Sequence, residues 1–188
     1  MRGVTVRGVH HHYTFADYLR VEQDSNLKHE FLDGDIYAMA GGTPLHARLT
    51  VNISSLLHAQ LRGTRCHAYS SDLRVRVPAT GLAAYPDVTV VCGELELDPE
   101  NDHTVTNPRL VVEVLSDSTE KFDRGVKLKH YQQIVALGAV MLVSQHQPSI
   151  EVWSRRADDR WTESVNGPGT VARIAAIDCT LAVDDVYA

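Results

Sequence analysis

The sequence predicts a mixed α/β sandwich: a central mixed β-sheet flanked by helices, with an N-terminal helix and a β-hairpin leading into it. Three observations point there. The runs Asp87-Val88-Thr89-Val90-Val91-Cys92 and Leu110-Val111-Val112-Glu113-Val114-Leu115 are nearly continuous in apolar residues and read as strands covered on both faces. Leu45, Leu49, Ile53, Leu56, Leu57 and Leu61 recur at three- and four-residue intervals, the stripe of an amphipathic helix. Asp33-Gly34 stands between two short β-prone runs, and both positions of a tight hairpin turn need positive φ.

The remaining elements follow in order. A first helix starts at Thr14, whose hydroxyl can cap free N–H groups, with Asp17 favoured in the first turn and Phe15, Tyr18 and Leu19 on the apolar face. The hairpin occupies 30–37. Thr43 caps the second helix, Pro44 fits its first position and Gly63 closes it. Leu73, Val75 and Val77 alternate with Arg74 and Arg76, which predicts a strand with one wet face. Residues 93–107 read as a polar surface loop. A third helix is expected after Ser116, with Asp117 as cap and Glu120 as its capping-box partner, running through Tyr131 to about Val135. Further strands are expected at 140–143, 150–153 and 160–163. Residues 1–13, with His10, His11 and His12, read as a solvated arm, and 14–188 as one domain without internal repeats.

A chain of 188 residues that is 44% hydrophobic and 22% charged can bury a core without staples, which excludes wholesale disorder. The net charge of -6 argues against nucleic-acid binding by bulk electrostatics. That acidity is concentrated: Glu94, Glu96, Asp98, Glu100 and Asp102 supply five of the six net charges, so a local, metal-assisted phosphate contact stays open. Cys66, Cys92 and Cys179 lack metal-knuckle spacing and are expected to be reduced and buried, which favours the cytoplasm. No apolar run approaches the roughly 20 residues of a membrane span.

Glu113 carries the most chemical information, because it interrupts a core strand, where an unpaired carboxylate costs several kcal/mol. Asp87 is the same anomaly at the head of the other core strand, after Pro86. Two carboxylates on adjacent strands can chelate Mg²⁺ or Mn²⁺ through hard oxygen ligands, or be capped and ion-paired. On the following helix Asp123, Lys127 and Tyr131 are spaced by four and share a face. Lys127 can point back at Glu113 to orient a water and offset charge on a phosphate; the plainer alternative is a solvated helix with Asp123 and Lys127 as an exposed ion pair.

The ordered set Tyr85-Pro86-Asp87, Val112-Glu113-Val114-Leu115-Ser116-Asp117-Ser118-Thr119, and Asp123-Arg124-Gly125-Val126-Lys127 with Tyr131 resembles a bacterial restriction endonuclease family of the PD-(D/E)xK nuclease superfamily. The likeness extends upstream through 30–43, His46 and 71–77, and downstream through Leu142-Val143-Ser144-Gln145, so it leaves out only the first dozen residues. It implies a restriction-endonuclease-like fold, with Asp87, Glu113 and the Val114 carbonyl as metal ligands. The superfamily's lysine normally follows the glutamate by two positions; Leu115 stands there, and the resemblance is to variants whose lysine lies in the next helix, here Lys127. Glu30 matches a position that brings a further acid to the metal, and Ala139 stands where many members carry a glutamate. His46 could contact substrate or bond Glu30.

The expected function is therefore a metal-dependent endonuclease hydrolysing phosphodiester bonds in nucleic acid, with DNA ahead of RNA. Asp87 and Glu113 would hold Mg²⁺ or Mn²⁺, Lys127 would position the attacking water and Glu30 would assist. Arg74, Arg76, Arg109, Lys121, Arg124 and Lys129 are candidate phosphate contacts. The alternative is a catalytically silent nucleic-acid-binding or interaction domain that retains the fold. A sugar hydrolase using the two acids lacks aromatic platforms around either residue. A homodimer would suit a nuclease that cuts two strands, but no residue pattern carries it.

Overall fold

The computed structural model describes residues 12–188. It contains α1 (Phe15–Asp24), β1 (His29–Leu32), β2 (Asp35–Ala38), α2 (Pro44–Leu61), β3 (Cys66–Ser70), β4 (Arg74–Arg76), β5 (Ala83–Ala84), β6 (Val88–Cys92), β7 (Leu97–Asp98), β8 (Asn101–Val105) and β9 (Leu110–Val114). A composite helix follows, in which α3 (Glu120–Phe122) passes through a π-helical segment (Asp123–Lys127) into α4 (Leu128–Tyr131). Then come β10 (Ala139–Val143), β11 (Ile150–Arg155), β12 (Trp161–Asn166), β13 (Val171–Ile174), β14 (Cys179–Ala182) and α5 (Val183–Tyr187).

The main sheet has the order β12-β11-β10-β9-β6-β3, with β9 and β10 parallel and its other pairs antiparallel. The two runs read as core strands are β6 and β9, side by side and away from the edges. On one face, Val88, Val90, Leu110, Val112 and Val114 pack against Leu49, Ile53, Leu57 and Leu61 of α2. On the other, Val111, Leu115, Val140 and Leu142 meet Leu128 and Tyr131 of α4 and Val75, Val77 and Val105 of a second layer. The period of two along β9 puts Glu113 on this second face, with Val111 and Leu115.

That second layer is where the sequence reading falls short. It is a separate six-stranded sheet, β2-β1-β5-β4-β8-β7, of which only the hairpin and the β4 run were legible. The expected loop at 93–107 contains the β7–β8 hairpin, whose Asp98 is buried and ion-paired to Arg76 at 3.4 Å. The expected wet face of β4 is covered. Arg74 is buried, donating to Thr104 and Asn101 while its guanidinium lies over the Tyr18 and Tyr85 rings.

The local signals hold at the helix starts. Thr14 and Asp17 form a reciprocal capping box, and Thr43 accepts from the His46 N–H at 3.1 Å. Asp33 and Gly34 take φ of 51° and 84°, as a tight hairpin turn requires. Of the N-terminal arm, residues 1–11, with His10 and His11, lie outside the described residues. His12 and Tyr13 are tied to the hairpin turn: His12 Nδ1 is 3.1 Å from the Asp33 carbonyl and the Tyr13 N–H donates to Gly34. The third helix departs from expectation at both ends. Thr119, not Asp117, is its N-cap, without a side-chain cap bond; Glu120 instead accepts from Arg124, and the helix stops at Tyr131.

The cysteine expectation is overturned. The antiparallel register sets Cys66 opposite Cys92, and the two form a disulfide; both are partly exposed. Cys179 alone is free and buried. The argument for a reducing compartment from three thiols therefore falls. Among the described residues no helix is long and apolar enough to cross a membrane.

Candidate active site

Asp87 and Glu113 come together through strand register. β6 pairs antiparallel with β9 as Val88 opposite Val112, so the next step sets Asp87 across from Glu113. The Asp87 carboxylate is anchored there, accepting the Val114 N–H at 2.7 Å. Glu113 is nearly enclosed, with 7% of its side chain exposed. Its Oε1 accepts from the Tyr131 hydroxyl at 2.6 Å and lies 3.0 Å from Lys127 Nζ.

Lys127 reaches this point from the composite helix. Within it, Leu128 N–H bonds back to the Asp123 carbonyl, a wider turn than an α-helix makes, and Asp123 and Lys127 are both buried. Arg124 holds the segment from outside, ion-paired to Glu151 of β11 and to Glu120. The Lys127 ammonium lies 2.6 Å from Glu30 Oε1 on β1, 3.0 Å from Glu113 and 3.5 Å from Asp123. The exposed Asp123–Lys127 pair, the plainer alternative from the sequence, is excluded, because both side chains are 5% exposed.

The electrostatics follow from this enclosure. Burial pushes the Glu113 carboxyl up to about 8; Lys127 opposes the rise, while Asp123, Asp87 and Glu30 add to it. Burial alone would pull Lys127 down, but Glu113, Glu30 and Asp123 outweigh it and hold the ammonium above its ordinary range. Burial, with Glu113 and Glu30 behind it, raises the Tyr131 hydroxyl well above its usual value and keeps it a donor. Four carboxylates thus surround a single lysine, and the excess negative charge falls on a nearly enclosed strand end.

That excess fits a divalent cation. Asp87, Glu113 and the Val114 carbonyl are hard oxygen donors, and a cation would relieve the charge that now holds Glu113 protonated. Among the described residues no three His, Cys, Asp or Glu side chains already converge as a ligand set. A site with one or two carboxylates, a carbonyl and waters, as Mg²⁺ favours, needs no such cage.

His46 does not bond Glu30, as one sequence alternative had it. Its Nε2 lies 3.3 Å from Asp87 Oδ2, and its pKa is raised by the hydrogen bond to Asp87, against burial, with the Val114 backbone contributing. The sequence gave no signal for this pairing beyond the position of His46 in the first turn of α2. Most of the candidate phosphate contacts are otherwise engaged. Arg74 and Arg76 hold β7–β8, Arg109 donates to the Ala136 and Ala176 carbonyls, and Arg124 holds the π segment. Lys121 and Lys129 stay exposed.

A hidden polar cluster supports Asp87 from behind. Tyr85, two residues before it, donates to Glu22, which also accepts from the His29 N–H and lies 2.8 Å from His29 Nδ1; Tyr18 donates to the His29 carbonyl. No local pattern joins Glu22 of α1 to Tyr85. The link arises only once the two sheets are assembled.

The comparisons with known proteins agree with this architecture. A crystal structure from Anabaena variabilis, described as a putative nuclease belonging to DUF820, superposes with a TM-score of 0.76 at 13% identity, covering 93% of this chain and 97% of that one. The restriction-endonuclease-like α/β class is thereby shown. Residues 15–183 match the model of the family Uma2, described as "Putative restriction endonuclease", and the chain belongs to that family. Two uncharacterised proteins of Synechocystis sp. are similar to it: one is 35% identical over 91% of this chain and 89% of its own length, the other 34% over 79% and 84%.

Proposed function

We propose that the chain is a metal-dependent endonuclease that hydrolyses phosphodiester bonds in nucleic acid, with DNA as the first substrate to test. The observation that carries the reading is the strand-end cluster, in which Asp87 and Glu113 stand opposite each other and Lys127 is held 3.0 Å from Glu113. Membership of the family described as a putative restriction endonuclease supports it.

Asp87, Glu113 and the Val114 carbonyl would hold Mg²⁺ or Mn²⁺. Such an ion polarises a phosphoryl oxygen and lowers the pKa of a bound water. The chain supplies the rest. Lys127, fixed by Glu30 and Asp123, orients the attacking water and offsets charge developing on the phosphate. Tyr131 holds the Glu113 carboxylate in one orientation through its 2.6 Å hydrogen bond.

A second reading has one observation of its own. Glu113 is satisfied by Lys127 and Tyr131 without a metal, as a catalytically silent nucleic-acid-binding domain would have it. Cleavage assays on DNA and RNA, with Mg²⁺, Mn²⁺ or EDTA, separate the two. The nuclease reading expects cleavage that needs the metal and is abolished in a folded Asp87→Asn variant. Undiminished cleavage by that variant, or none by the parent chain on any substrate, overturns it.

A further inference from the structure

We propose that His46 Nε2 is a ligand of the cation held by Asp87 and Glu113, and that this nitrogen makes the site prefer Mn²⁺ to Mg²⁺. The proposal rests on the metal reading above and adds a donor to it. Three features of the structure carry it.

The first is distance. Nε2 lies 3.3 Å from Asp87 Oδ2, longer than a tight charge-assisted hydrogen bond. Two ligands at adjacent corners of an octahedron with bonds of about 2.1 Å stand about 3 Å apart. The gap therefore suits two donors sharing one ion. The second is that His46 approaches the Val114 backbone as well as Asp87, two of the three groups expected around the cation.

The third is that the ring is aimed by its surroundings. A Cβ at position 42 would lie 2.7 Å from His46 Nδ1, so Gly42 is what lets the imidazole lie against the loop. Thr43 caps the His46 N–H and donates to Gln145 Oε1 at 2.5 Å, while Gln145 Nε2 donates to the Leu115 carbonyl at 2.7 Å. The first turn of α2 is thereby tied to the end of β9 beside Glu113. Imidazole binds Mn²⁺ better than Mg²⁺, which favours oxygen and water.

The test is pulsed electron paramagnetic resonance on the full chain loaded with Mn²⁺, with Mn²⁺ and Mg²⁺ affinities measured by calorimetry. Modulation from a directly bound nitrogen is expected in the parent chain and absent in His46→Ala. That variant should bind Mn²⁺ about tenfold or more weakly, with a smaller loss for Mg²⁺. Gly42→Ala, which displaces the ring but keeps the imidazole, should weaken the nitrogen signal. Mn²⁺ bound without nitrogen modulation, or parent-level Mn²⁺ affinity in His46→Ala, overturns the proposal and leaves the Asp87–Glu113 site standing. Asp87→Asn tests that site by itself: its failure to affect Mn²⁺ binding, or a parent chain that binds no Mn²⁺, removes both.

Discussion

Lys127 and Glu30 meet at 2.6 Å across 97 residues of sequence. The same ammonium also faces Glu113 and Asp123, so one cation joins the hairpin of the second sheet, the central strand of the first and the π-helical segment. The geometry of the candidate site and the packing of two layers therefore depend on one side chain.

Replacing Lys127 by Met should be costly for stability as well as for activity. Removing one member of a buried ion cluster costs about 3–5 kcal/mol, lessened here to the extent that Glu113 takes up a proton. Urea denaturation at neutral pH measures it. A change below about 0.5 kcal/mol would show that the cluster is solvated.

The raised Glu113 carboxyl sets a pH dependence. Its folded value of about 8 lies above the ordinary 4.5, so between them the native state holds a proton that the unfolded chain has released. The sign follows: without metal, this group's stabilising contribution is present below the ordinary carboxylate range and is lost as pH rises through about 8. Mg²⁺ or Mn²⁺ must displace that proton, so affinity should rise with pH up to about 8 and then level off. Calorimetry in buffers of different ionisation enthalpy reads the proton release directly. Metal affinity that is flat between pH 6 and pH 8 would contradict a protonated Glu113, a window set by the printed value of about 8.

Tyr131→Phe removes the hydrogen bond to Glu113 while keeping the ring. The expected cost is about 1–2 kcal/mol, and without that donor the Glu113 carboxyl should move further up. Thermal melts and the pH profile of metal binding check both parts.

Cys66→Ser should destabilise the chain by about 3 kcal/mol, because the disulfide closes a loop with a sequence separation of 26. Peptide mapping without reductant is expected to recover the two cysteines in one linked fragment. Equal melting temperatures with and without reductant would count against the bond.

Much of the frame is written locally. The α2 stripe, the Asp33-Gly34 turn, the Thr14 and Thr43 caps and the β6 and β9 runs are short-range patterns, and each fixes its own element and buried face. Asp87 and Glu113 were legible because each is a charge where only apolar side chains belong. Spacing also placed Asp123, Lys127 and Tyr131 on one helix face. Whether that face met water or a core was not in the spacing, since the covering layer comes from residues 29–105.

The sequence by itself determined which faces are apolar, where helices and hairpins start, and which two acids sit in core strands. Tertiary structure alone decided which groups meet: Lys127 with Glu30, His46 with Asp87, Glu22 with Tyr85, Cys66 with Cys92 and Arg76 with Asp98. The physical reason is range. Periodicity along a chain reports the direction a side chain must face, whereas its partner is set by register and layer packing between segments far apart in sequence.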